Sequence, residues 1–314
     1  MDASVAQSRP LTAIGLRLLA AFSLTTLSML VKLVGEDGVH LLEIIFWRQA
    51  VTLLAMIAFA AATVGFATLK PVRFKSHAIR SAYGIVGMAL VYGAVIMLPL
   101  AEATTINFTA PIWAVILSML LMKERIGRYR WSAVAIGFAG ILIVTQPGGT
   151  PVDPRGIAVG LAAAFMVALI SIQIQDLNKT EGSTSIVFWF CLLTVPLLAL
   201  ALPFVAKAHS SETWLLLGGV GLSGAAAQLL LTTSLRFGSA ATVIVMDYTA
   251  LLWATLYGWQ VFDELPVPNT WIGAPLIILA GTIILVREGH LARKARRARL
   301  DVPAPEEPLA QQQR

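Results

Sequence analysis

The sequence predicts an all-α polytopic membrane protein: ten transmembrane helices arranged as two inverted five-helix repeats. Three observations carry that expectation. The 314 residues are 57% hydrophobic and only 13% charged, against roughly 25% charged in soluble domains. Apolar runs recur along the chain, giving a mean hydropathy of +0.79. One stretch, FTAPIWAVILSMLLMKER at 108–125, is echoed 140 residues later as YTALLWATLYGWQVFDEL at 248–265.

A hydrocarbon core of about 30 Å takes roughly 20 apolar residues per helix. Runs of that kind fall at 11–34, 40–66, 78–98, 101–122, 131–146, 156–175, 184–205, 213–235, 239–262 and 269–287. The first is too long for a signal-peptide core and lacks a convincing cleavage site, so it reads as a retained helix. The second contains an arginine, Arg48, and the third two tyrosines, Tyr83 and Tyr92. Pro111 lies in the fourth, Pro196 and Pro203 in the seventh and Pro275 in the tenth, as membrane helices tolerate. The fifth and tenth open on Trp131 and Trp271. Gly156 and Gly160 give the sixth a GxxxG, and GGVGLSGAAAQ (218–228) gives the eighth a narrow face for close helix packing.

Charge placement orients the runs. With the N-terminus inside, 18 Lys and Arg fall in cytoplasmic segments and two, Arg155 and Lys207, outside. Arg17, Lys32 and Arg48 lie within runs. This positive-inside bias puts both termini in the cytoplasm. Lys123 and Arg125 then stop the fourth run at the inner surface. The basic stretch REGHLARKARRAR (287–299) continues from the last run and suits anionic lipid headgroups rather than nucleic acid. Residues 301–314, with three prolines and a QQQ run, have the composition of a disordered tail.

The echo is an internal duplication. Phe108, Thr109, Ala110, Trp113, Ala114 and Glu124 align with Tyr248, Thr249, Ala250, Trp253, Ala254 and Glu264. IIFWR (44–48) resembles IVFWF (186–190), Trp131 matches Trp271, and GFAGILIV (137–144) resembles ILAGTIILV (278–286). The unit is therefore five runs, 11–146 and 156–287, flanked by a cytoplasmic tail at 1–10 and a basic, then disordered tail at 288–314. An odd unit inserts its second copy upside down. Inverted repeats are a common signature of secondary transporters, with the solute site near the midplane between the halves.

The stretch 101–144 resembles the drug/metabolite transporter superfamily, EamA-like type. Pro111, Glu124, Gly137 and Gly140 fit that family's pattern in the first half, and Glu264 and Gly281 in the second. Arg48 stands where the family has an arginine in its second helix. Leu251 replaces the second proline, and Phe190 stands where a second arginine would be. The resemblance covers roughly 11–287. It implies the fold and a transport function, and leaves the solute open among amino acids, vitamins, nucleotide-like metabolites, polyamines and drugs.

A charged residue at a helix centre costs about 2.5–3.5 kcal/mol on insertion scales, so each needs a reason. Arg48 lies about 12 Å into its helix at 1.5 Å per residue. It either meets an anionic solute or locks helices together. Asn107 and Asp247 are equivalent across the repeat. Asp247 either couples protons or cations, or pairs with a buried donor. Tyr83, Tyr92, Trp113, Gln173, Gln228, Tyr248 and Trp253 add flat faces and hydrogen-bonding groups, which serve either packing or a solute path. Glu43 reads as an interfacial carboxylate, and Glu124 and Glu264 as holders of helix ends.

The chain has no G-x-x-x-x-G-K-[ST] loop for ATP and no nucleophile–base pair at membrane depth. Its one cysteine, Cys191, and four scattered histidines offer no metal set. No cofactor, metal or nucleic-acid partner is expected; the partners are a small-molecule solute and membrane lipids. The expectation is a secondary active transporter of a bacterial-type inner membrane. It would move a small organic metabolite by alternating access, as efflux of an amino-acid-like compound. The alternative is uptake of a vitamin such as riboflavin; a channel or embedded enzyme ranks below both.

Overall fold

The computed structural model of the chain describes residues 10–122, 128–145, 153–177, 180–237 and 245–300. Glu124, the tail from 301 and the start of the ninth run lie outside the described residues. Every described element is helical. The first three runs form α1 (Pro10–Glu36), α2 (Leu41–Phe59, continued by a π-turn over Ala60–Val64) and α3 (Phe74–Met97). The fourth is broken into α4 (Leu100–Asn107) and α5 (Ala110–Met122). The fifth and sixth are α6 (Arg128–Thr145) and α7 (Pro154–Leu177). The seventh gives α8 (Ser183–Ala199) and a short α9 (Leu202–Val205), and the eighth α10 (Ser211–Phe237). The described part of the ninth is a 3₁₀ segment, Val245–Thr249, followed by α11 (Ala250–Phe262). The tenth is α12, Thr270–Leu300, which carries the basic stretch onward as helix. Five of these helices are long and apolar enough to cross a membrane: Gly15–Glu36, Leu41–Thr63, Phe74–Met97, Pro154–Ile174 and Ser211–Leu231.

The most extensive packing pairs persist when the two halves are exchanged. α1 packs on α10 as α3 packs on α7, and α2 meets α10 as α8 meets α3. α1 lies along the ninth segment as α7 lies along α4 and α5. The pairs α2 with α8 and α6 with α12 map onto themselves. Such a scheme is what a twofold relation between halves generates; a simple translation would not. Phe108 and its repeat equivalent Tyr248 meet edge to face, 5.1 Å between ring centroids. Trp131 and Trp271 are both exposed, 52% and 61%, as residues at a membrane–water boundary would be.

Carboxylate–histidine contacts obey the same exchange. Glu43, in the first turn of α2, meets His209 before α10 at 2.9 Å. Glu181, before α8, meets His77 in the first turn of α3 at 3.2 Å. Glu181 also accepts from the backbone N–H groups of Val72 and Arg73, each at 2.8 Å. Burial works to raise its carboxyl, but these two N–H groups and His77 outweigh it and hold it below the usual range.

Close helix approach uses glycine. A Cβ on Gly140 of α6 would lie 2.9 Å from the carbonyl oxygen of Gly273 and 3.1 Å from the nitrogen of Ile277 in α12. The α6–α12 seam is thus backbone against backbone. A core cluster of Leu27, Val31, Ile44, Ile45, Tyr92, Ile106 and Leu217 ties together helices from both halves.

One expectation needs correction. Arg80 was counted among the 18 cytoplasmic charges although it falls at the start of the third run, 78–98; α3 begins at Phe74, so Arg80 lies about two turns inside the helix. The polar stretch FKSHAIRS (74–81) is helical, with its His77 and Ser81 buried, which hydropathy does not register.

Candidate functional site

Helix breaks position the site. Pro111 has no N–H to give to residue 107, so a regular helix fails there. α4 ends at Asn107, and the Thr109 hydroxyl donates to the Ile106 carbonyl at 2.7 Å. The second half breaks at the equivalent place, where the 3₁₀ segment gives way to α11 at Ala250, although Leu251 replaces the proline. Interrupted helices near the midplane are where transporters build solute sites.

Several polar groups near these breaks are buried. Asn107 leaves its Oδ1 buried without a hydrogen-bond partner, as do Trp113 its Nε1 and Gln173 its Oε1. Trp113 stands edge-on to Phe165 of α7 at 5.6 Å. The Tyr248 hydroxyl sits against Gly281, where no Cβ would fit. Trp253 meets Phe22 of α1 edge-on at 5.0 Å. Arg48 donates from NH1 to Gln49 Oε1 at 2.5 Å, and Gln49 in turn donates to Thr194 of α8 at 2.8 Å. Tyr92 is buried in the core and lies within electrostatic reach of Arg48. Gln228 is half-buried on α10. Tyr83 stands apart, 39% exposed on α3.

Asp247 has a partner that reading by run missed. Arg17 of α1 grips it with both arms of its guanidinium, Nε to Oδ1 at 2.6 Å and NH2 to Oδ2 at 2.5 Å. Farther along α1, Lys32 meets Glu264 at 2.5 Å and lies over the Phe262 ring at 4.7 Å. Arg17 and Lys32 are 15 residues apart and Asp247 and Glu264 17, so two ion pairs staple α1 to both ends of the ninth segment. Similar spacing of two cations in the first run and two acids in and just beyond the ninth was the available signal.

Glu102 was also missed. It is fully buried in α4 and accepts from the Val267 N–H at 2.9 Å and the Thr270 hydroxyl at 3.2 Å. It thereby ties α4 to the loop before α12 and to the first residue of that helix.

Known proteins match this architecture. The profile of the EamA-like transporter family matches residues 11–146 and again 154–287. A riboflavin transporter of Vibrio cholerae is 29% identical over 73% of this chain and 77% of its own length. The pseudopaline exporter of Pseudomonas aeruginosa is 28% identical over 84% of this chain and 93% of its own. A crystal structure at 19% identity has the same fold, with a TM-score of 0.60 over 86% of this chain and 97% of that one. These likenesses point to a transporter rather than an enzyme. With its repeated helical halves and apolar spans, the chain belongs to the EamA-like transporter family of the drug/metabolite transporter superfamily.

Proposed function

We propose that this protein is a secondary active transporter of the bacterial-type inner membrane, with ten spans in two inverted halves and both termini cytoplasmic. It moves a small organic metabolite by alternating access, in the favoured reading an amino-acid-like compound outward. The observation that carries the reading is the set of buried, unpartnered polar groups on Asn107, Trp113, Gln173 and Arg48 between halves related by exchange. Buried polar groups are normally satisfied within a protein, and in a transporter a solute supplies the missing partner. Arg48, Asn107, Trp113 and Gln173 hold the solute, with Tyr92, Gln228, Tyr248 and Trp253 shaping its surroundings and Tyr83 at the periphery. Asp247 is the coupling carboxylate. A proton reaching it would cancel its charge and release Arg17, undoing one of the two ion pairs that hold α1 to the ninth segment.

Flux in proteoliposomes tests this. A panel of amino acids and their derivatives is expected to include a solute whose movement follows an imposed proton gradient. Movement of no panel member under any gradient would remove the favoured reading. Riboflavin uptake is the second reading, supported by the names of relatives and by the aromatic residues between the halves; riboflavin accumulation in the same vesicles decides for it. Topology has its own check in a Cys191→Ala background. A cysteine at Ser210 is expected to react with an impermeant maleimide from outside and one at Ser76 only from inside. The reverse pattern at either position would refute the orientation.

A further inference from the structure

Two guanidiniums, from Arg48 and Arg80, border one cluster between the helices, and neither has a carboxylate partner among the described residues. Arg48 comes from α2; its NH1 reaches Gln49 Oε1 at 2.5 Å and Met88 Sδ at 3.4 Å, while its Nε is buried without a partner. Arg80 comes from α3 and lays its guanidinium over the Phe190 ring, 4.4 Å from the centroid. Its Nε and NH1 are both buried without partners. The Cys191 thiol of α8 approaches the same Gln49 Oε1 at 3.8 Å, so the two cations flank one cluster of Gln49, Phe190 and Cys191. The charged and titratable groups acting on Arg80 are Arg48 and Cys191.

The contrast with the other cations in these helices is chemical. Arg17 and Lys32 each have a carboxylate within 2.6 Å, and so does Arg73 at the inner end of α3, at 2.8 Å. Among the described residues, Arg48 and Arg80 alone of these five have no carboxylate partner. Two like charges held together away from water repel, and burying charge without a counter-charge is costly. The fold nevertheless makes room for them. A Cβ on Gly84 would strike Arg80 and Phe190, and one on Gly224 of α10 would lie 3.1 Å from Arg48 Nε. Glycines on two helices therefore keep space beside both guanidiniums. Planar, forked donors of this kind match carboxylate and phosphate oxygens two at a time.

We propose that Arg48 and Arg80 together bind the anionic group, a carboxylate or phosphate, of a water-soluble solute. The identification of that solute as transported rests on the transporter reading above. The proposal names Arg80 as a second binding arginine, supplied by α3 rather than by the seventh helix, where Phe190 stands instead.

Thermal unfolding of the detergent-purified full chain tests the site, with citrate and inorganic phosphate as probes at ionic strength balanced by chloride. Either probe is expected to raise the wild-type Tm by several degrees, because a ligand that binds only the folded state stabilises it. Arg48→Gln and Arg80→Gln are each expected to lose that rise, and Arg80→Lys to keep part of it. Without anion, both Gln variants are expected to melt no lower than wild type, since each removes a repelling charge. A citrate response kept in full by both Gln variants would overturn the site. So would a drop of several degrees in both without anion, which would assign the pair to structural bonds. Stabilisation by phosphatidylglycerol alone, with no response to citrate or phosphate, would assign the guanidiniums to a lipid headgroup and overturn the solute site. Failure of flux with the citrate response intact would sink the transporter reading and leave this site standing. Full flux in the Gln variants with their citrate response lost would confirm the site and detach it from transport.

Discussion

Asp247→Asn is expected to cost the protein more stability than Arg17→Gln, although the two substitutions break the same ion pair. The asymmetry follows from burial. The Arg17 side chain is 7% exposed and that of Asp247 32%. Removing the carboxylate strands a buried guanidinium, whereas removing the guanidinium leaves an acid that water or a proton can satisfy. Breaking a buried pair from one side costs about 3–5 kcal/mol. Asp247→Asn should lie near the lower end, because its amide oxygen still accepts one bond. The double variant Arg17→Gln/Asp247→Asn restores thermal stability toward wild type, since neither charge is left alone. Flux separates the two roles of the pair. If Asp247 couples protons, the double variant recovers its Tm but not gradient-driven transport. Recovery of both, with the wild-type pH dependence, would make the pair a staple and nothing more.

Gly140→Leu is expected to abolish the folded, monodisperse protein on fluorescence-detected size exclusion, with Gly140→Ala in between. The added Cβ already meets backbone atoms of Gly273 and Ile277, which cannot swing aside as a side chain can. Overpacking typically costs 1–3 kcal/mol, occasionally more. Here the α6–α12 seam, which joins the two halves, would have to part along its length. A matched substitution at Gly15, whose Cβ would meet nothing within 4 Å, should leave the elution profile unchanged. Normal elution of the Gly140→Leu protein would mean the seam is looser than this geometry requires.

Hydropathy alone located nearly every helix, because a run long enough to span hydrocarbon must satisfy its backbone internally. Sequence self-comparison paired Trp131 with Trp271 and Phe108 with Tyr248 before their surroundings were known. Arg48 and Asp247 stood out because charge inside an apolar run is rare. Their partners did not. Arg17 and Asp247 are 230 residues apart, and nothing in either run specifies which helix will lie beside it. Arg80 was concealed by its polar neighbours, whose burial depends on contacts from α8 and its preceding turn. Glu102 passed unremarked because its partners, Val267 and Thr270, lie 165 and 168 residues away. The sequence by itself determined the helices, their repeat and the charge bias along the chain, all of which follow from local composition and period. Only the tertiary structure decided which of these helix charges neutralise one another and left Arg48 and Arg80 without a carboxylate among the described residues, because an ion pair is set by the distance between side chains from separate helices.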